Sequence, residues 1–162
     1  MRIVKLVQQN EALCHLPGGS KKRLFQTLAN IMAERNTDLS ADAIFDGLTR
    51  RDRLGTTGIG NGIAIPHCRL PGCPQLTAQL ATLDASIEYD AVDGQPVDII
   101  FVLLAPEEHH DAHLEALSQI ARLLNDLSTR RKLRKAQDNA TLHATALELA
   151  TDLESRQMSA HS

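Results

Sequence analysis

The sequence predicts an α/β fold, a single domain in which a mixed β-sheet is sandwiched between helices. Three observations lead there. Apolar residues Leu24, Leu28, Ile31 and Met32 recur at helical spacing through about Asn36, and Ile44, Phe45 and Leu48 follow in a second helical stretch. The middle of the chain then shifts to short apolar runs, ending in Val97-Asp98-Ile99-Ile100-Phe101-Val102-Leu103-Leu104. Helical spacing returns after residue 110. Helices, then strands, then helices require a sheet covered by helices.

Each element has local reasons. Pro17-Gly18-Gly19 is a turn, and Ser20 is placed to cap a first helix running to about Asn36. Ser40 caps a second helix that carries Ile44, Phe45 and Leu48 toward the core. Arg50, Arg51 and Arg53 gather at its end, where the helix dipole favours positive charge. Gly62–Ile65, about 78–83 and Val97–Leu104 read as strands, the last apolar enough to be covered on both faces. Two helix-rich regions follow, about 111–125 and 129–152, the second broken near Asp138-Asn139. In the first of these the stripe Leu117, Ile120, Ala121, Leu124 extends back to His113, placing that histidine on the buried face at the first turn.

Composition narrows the function. A chain of 162 residues is read as one domain over 1–162, its core spanning about 3–154, and it buries roughly 70% of its unfolded surface without metal or disulfide. Three Phe, one Tyr and no Trp leave the core to aliphatic residues and give single-stranded nucleic acid little to stack on. A net charge of -3 supplies no basic field for DNA or a membrane surface. Cys14, Cys68 and Cys73 are an odd number without framework spacing, which fits a reducing compartment. No apolar run approaches the ~18 residues of a membrane span, and no secretory leader is legible, so the expected location is the cytoplasm.

The most informative stretch is Gly58-Ile59-Gly60-Asn61-Gly62-Ile63-Ala64-Ile65-Pro66-His67. A glycine turn feeds a short apolar strand that ends by presenting one histidine, the side chain best able to take up and release a group near neutral pH. A histidine that carries phosphate needs its second nitrogen held by a fixed acceptor, and positive or N–H donors ready for the incoming charge. An arginine fork supplies such donors in pairs, and the backbone of a glycine turn can add more. His67, His113, Arg51 and the 58–62 turn are the groups available. His67 and His113 both lie just beyond candidate strand ends, the usual place for a site in such sheets.

Thr56-Thr57-Gly58 through His67 resembles the active-site signature of the IIA domains of the bacterial phosphotransferase system, of the mannitol/fructose type and nearest its nitrogen-regulatory branch. The likeness extends through Arg51-Asp52-Arg53-Leu54-Gly55, Pro96-Val97-Asp98 and His113-Leu114-Glu115-Ala116-Leu117-Ser118. It implies the mannitol-type IIA fold, phosphorylation of His67 at Nε2, His113 as second active-site histidine, and Arg51 as the phosphate-stabilising arginine. Asn61 falls where sugar-transporting relatives often carry an acidic residue. The donor implied is a histidine-phosphorylated carrier protein of the nitrogen phosphotransferase chain, and the output is regulation of target proteins by phosphorylation state, with no cofactor or metal. Two residues depart from the pattern. Cys68 replaces a usual glycine and brings a thiol to the pocket, and Asp52 replaces a usual glutamate.

Other readings of the same residues remain. His113 can simply pack its helix, and Arg50 and Arg53 compete with Arg51. The glycine turn leads into a strand and lacks the Lys-Ser/Thr ending of a nucleotide loop. His67, Cys68 and Cys73, with Cys14, His15 or His109, lack the spacing of a zinc set. The basic run Arg130-Arg131-Lys132-Leu133-Arg134-Lys135 reads as a solvated helix face with Leu133 and Ala136 turned inward. Two alternative functions stand beside the regulatory carrier: a sugar-transport IIA component passing phosphate to a permease domain, and a metal- or protein-binding module without covalent chemistry.

Overall fold

The computed structural model describes residues 2–108 and 110–160. Helix α1 (Ile3–Gln8) and strand β1 (Leu13–Leu16) precede helices α2 (Lys21–Arg35) and α3 (Ala41–Leu54). Ser20 and Ser40 cap those two helices, their side chains accepting from the backbone N–H of Arg23 and Ala43. Strands β2 (Gly58–Gly60), β3 (Ile63–Ala64), β4 (His67–Leu70), β5 (Thr77–Ile87) and β6 (Val97–Pro106) follow. Helices α4 (His110–Leu124), α5 (Leu127–Lys135) and α6 (Asn139–Ala160) close the chain, the last two parting where the sequence breaks at Asp138-Asn139.

The six strands form one mixed sheet in the order β1-β5-β6-β3-β2, with β4 also paired to β6. β6 is central because it is apolar throughout, and its residues alternate between two cores. Ile99, Phe101 and Leu103 pack with α1, α4, α5 and α6, represented by Ile3, Ile120, Leu133 and Leu142. Ile100, Val102 and Leu104 pack with α2 and α3 through Leu24, Leu28, Met32, Ile44 and Leu48. Period two in the strand thus becomes two helical layers.

The detail that positions the site is the handover from β3 to β4 along one side of β6. β3 pairs in parallel with Ile99 and Ile100, and β4 pairs in parallel with residues 103–106. Between them lies Pro66, which has no N–H to give a ladder. His67 therefore lies beyond the end of β3, as expected, but it also opens a strand that the sequence reading did not contain. Its Cα stands opposite Leu103 in the centre of the sheet.

The candidate phosphoryl site

His67 and His113 meet although 46 residues separate them, the difference of their positions. Their ring centroids are 5.5 Å apart at an interplanar angle of 62°. β4 supplies the first ring and the opening of α4 the second, because α4 starts a few residues after β6 ends. The rings lie in an open groove of about 1240 Å³, walled by the second half of α3 and the start of α4. Arg50 and Arg51 also line it, and Arg53 is not among the lining residues.

The two rings have different environments. His67 is half-buried, and its Nδ1 lies 2.7 Å from the Ile65 carbonyl oxygen. A carbonyl only accepts, so Nδ1 carries the proton and Nε2 keeps its lone pair. Burial most strongly pushes the His67 pKa below the ordinary histidine value. The Ile65 hydrogen bond opposes that shift, Arg51 reinforces it and Asp52 opposes it. His113 is buried, and burial first, then the charges of His67, Arg69, His110 and Arg51, bring its pKa down to about 4. Its Nε2 is buried with no hydrogen-bond partner. A buried imidazole nitrogen without a partner is costly unless a ligand completes it.

Arg51 is held at the end of α3 by its own Nη1 donating to the Gly55 carbonyl at 2.9 Å. The neighbouring Asp52 anchors that turn. Its carboxylate accepts from Lys21 Nζ at 2.7 Å and from the backbone and hydroxyl of Thr57 at 3.0 and 2.7 Å. Burial would raise the Asp52 pKa, but these bonds outweigh it and hold the group below the ordinary carboxylate range. Thr57 Oγ1 and the buried Tyr89 hydroxyl, 2.6 Å apart, complete the chain. The result is a neutral imidazole with an unprotonated Nε2 and a braced guanidinium in one open groove, the chemistry that a group-accepting histidine requires.

The family model for the phosphoenolpyruvate-dependent sugar phosphotransferase system, EIIA 2, matches residues 5–148. The chain belongs to that family. A nitrogen regulatory protein of Pseudomonas aeruginosa is 42% identical over 149 residues, covering 92% of this chain and 97% of its own length. Among solved structures, the nitrogen regulatory protein IIA-Ntr of Neisseria meningitidis superposes with a TM-score of 0.81 at 35% identity, over 89% of this chain and 98% of that one. The mannitol IIA of Escherichia coli, at 12% identity, shares the fold with a TM-score of 0.68 over 84% and 95% of the two chains. The single-domain IIA fold expected from the sequence is the one found.

Several expectations about individual residues of this IIA domain need correcting. The 58–62 turn does not reach the groove. Asn61 is exposed there in a left-handed conformation (φ 59°), its N–H donating to Asp93 and its carbonyl accepting from Arg134. Arg134 is not a merely solvated charge either, since its fork also grips Asp98 at 3.0–3.2 Å. Arg130 is buried and donates to the Leu124 carbonyl. Cys68 does line the groove, as expected, but it is buried against the α2/α3 core, where burial most strongly pushes its thiol pKa up to about 12, so it packs and is not a reactive thiol. Gly47 makes that possible, because a Cβ there would lie 2.8 Å from Cys68 Sγ. His109, weighed as a zinc ligand, lies outside the described residues.

Arg69 and His110 escaped the sequence reading. Both line the groove, and the Arg69 Nη1 donates to the His110 ring, 2.6 Å from Nδ1. A signal was available. Arg69 is two residues past His67 on one strand, and His110 is three before His113 on one helix, so each shares a face with a site histidine.

Proposed function

We propose that this IIA domain is a cytoplasmic phosphoryl carrier that accepts a phosphoryl group on His67 Nε2 from a histidine-phosphorylated carrier protein of the nitrogen phosphotransferase chain. It then regulates target proteins according to its phosphorylation state. The observation that carries the reading is the hydrogen bond from His67 Nδ1 to the Ile65 carbonyl, which leaves Nε2 unprotonated in the groove. In the transfer, the P–N bond to the donor imidazole breaks as the bond to Nε2 forms. The donor ring, protonated at its other nitrogen, keeps the electron pair and leaves neutral, while the His67 ring keeps its Nδ1 proton and becomes the imidazolium, so neither water nor a net proton is consumed. Arg51 holds the phosphoryl oxygens, and His113, whose ring stands 5.5 Å from that of His67 and whose buried Nε2 has no partner, turns that nitrogen to the same group.

Nitrogen-regulatory output is supported by the nature of the relative in Pseudomonas aeruginosa and of the Neisseria structure. No described helix is long and apolar enough to cross a membrane, which agrees with a carrier that meets partners in the cytoplasm. A charge change at an open groove alters what can dock there, and that supplies the signal. Asn61 has a part in holding its turn, and no part in this transfer.

The test is intact-protein mass after incubation with phosphoenolpyruvate and the general phosphotransferase proteins. One acid-labile phosphoryl group is expected on the wild type and none on His67→Ala. A wild type that stays unmodified with its cognate donor overturns the reading.

A further inference from the structure

The geometry points to Arg69 as a second phosphoryl-binding arginine of the site, held against His110 while His67 is unmodified and moving to the phosphoryl oxygens when His67 carries the group. The inference rests on the carrier reading and extends it to a residue that reading does not require.

Four observations support it. His67 and Arg69 alternate on β4 toward one side while Cys68 and Leu70 between and after them are buried. Their Cα atoms are therefore about 6.5 Å apart, within the span of an extended guanidinium side chain. Both residues line the groove that also holds His113. The second observation is that Arg69 already acts on the site, since after burial, which lowers the His113 pKa most, the Arg69 guanidinium lowers it further. Third, its present partner is replaceable. Arg69 Nη1 lies against both ring nitrogens of His110, only one of which can accept at a time, and the His110 side chain is exposed, so the contact is easily given up. A phosphoryl group offers charged oxygens in place of that acceptor, and such hydrogen bonds are roughly twice as strong.

The fourth is a charge count. A phosphoryl group on Nε2 brings nearly two negative charges at neutral pH. Because its Nδ1 proton is committed to Ile65, the His67 ring becomes an imidazolium once Nε2 bonds to phosphorus and offsets one of those charges. His113, with its pKa near 4, is neutral and offers a dipole only. Arg51 is one cation, with Nη1 tied to Gly55. The phosphoryl oxygens call for more donors than Arg51 has free, and Arg69 is the arginine placed on the same strand as His67 and lining the same groove. Arg69 keeps its proton throughout and exchanges hydrogen bonds only, while the P–N bonds break and form as described above.

The experiment measures the rate of phosphoryl transfer from the phosphorylated carrier protein to the wild type, Arg69→Gln, Arg69→Lys, His110→Gln and Arg50→Gln, with the ³¹P resonance of each phosphorylated product. Arg69→Gln is expected to slow transfer about 10- to 100-fold and to shift the ³¹P resonance. Arg69→Lys should recover part of the rate, since it keeps the charge without the fork. His110→Gln should change the rate less than Arg69→Gln does, because it removes a partner of Arg69 and leaves the guanidinium in place; a loss as large as that of Arg69→Gln overturns the assignment to Arg69. Arg69→Gln at wild-type rate with an unmoved resonance overturns the inference and leaves the carrier reading intact. So does Arg50→Gln slowing transfer equally, which would mark a diffuse field and not a contact. A wild type that takes no phosphoryl group overturns both.

Discussion

The groove around His67 and the glycine turn at 58–62 stand only a few residues apart in sequence, yet they are opposite kinds of polar region. The turn is satisfied. Asp93 accepts from the Asn61 N–H, Arg134 bridges the Asn61 carbonyl and Asp98, and Gly62 leaves room for that arginine. The groove is unsatisfied. It gathers two lowered-pKa imidazoles, a buried His113 Nε2 without a partner and arginines whose hydrogen bonds go to neutral acceptors. A polar cluster that completes itself holds a chain in place, and one that does not is poised for a ligand.

The comparison can be broken most sharply at the orphan nitrogen. His113→Ala is expected to slow phosphoryl uptake about 100-fold, as loss of one preorganised donor does. Its stability cost should be that of lost ring packing alone, about 1–3 kcal/mol, because the buried nitrogen it removes had no partner to lose. Stopped-flow transfer and denaturant unfolding check the two halves, and a normal rate would place His113 among packing residues.

The turn should answer in the opposite currency. Gly62→Ala puts a Cβ at φ +80°, 2.4 Å from Arg134 Nη2 and 2.9 Å from Asp98 Oδ1. The expected loss is about 2–3 kcal/mol of unfolding free energy, from backbone strain and a displaced clamp. Unfolding in urea measures it, and an unchanged midpoint would mean the clamp contributes nothing.

A pH series sharpens the contrast between the two regions. His113 is neutral when folded, with a pKa near 4 against an ordinary value of 6.5. The unfolded chain binds that proton first, so stability is full above about 6.5 and falls as pH drops toward 4. His67, lowered in the same direction, adds to that loss. Phosphoryl uptake should persist at pH 6.5 and decline only at lower pH, where His67 Nε2 is protonated. His113→Ala should flatten part of the stability slope, and a slope unaltered by it would place the titration elsewhere.

The smallest effect belongs to Arg134→Ala. Its pair with Asp98 is about a third exposed on each side, so the expected cost is about 1 kcal/mol, with transfer slowed less than twofold. Thermal unfolding with the transfer assay decides it. A loss of transfer as large as that of His113→Ala would mean the turn works in the chemistry and would dissolve the distinction.

What could be read beforehand was whatever local patterns decide. Ser20 and Ser40 announced their helices, the apolar run of β6 announced a doubly covered strand, and the stripe through Leu117 and Ile120 put His113 inside. The short elements α1 and β1 were not legible, since six and four residues carry too little periodicity and are held by the body they pack on. β4 was hidden by Pro66, which reads as a strand end when the chain in fact resumes pairing with β6 one residue later.

The amino-acid sequence by itself determined the class of the fold, the capped helices, the burial of His113 and the resemblance that pointed to His67. Those follow from propensity, period and motif, all of which act over a few neighbouring residues. Only the tertiary structure decided that His67 and His113 share a groove while Asn61 and the glycine turn do not. It also decided that Arg134 is a clamp, that Cys68 is buried beneath Gly47, and that Arg69 stands in the site. The physical reason is common to all of them. Parallel pairing on β6 and the packing of α3 and α4 on opposite faces of the sheet set distances between residues far apart in the chain, and no local pattern encodes such distances.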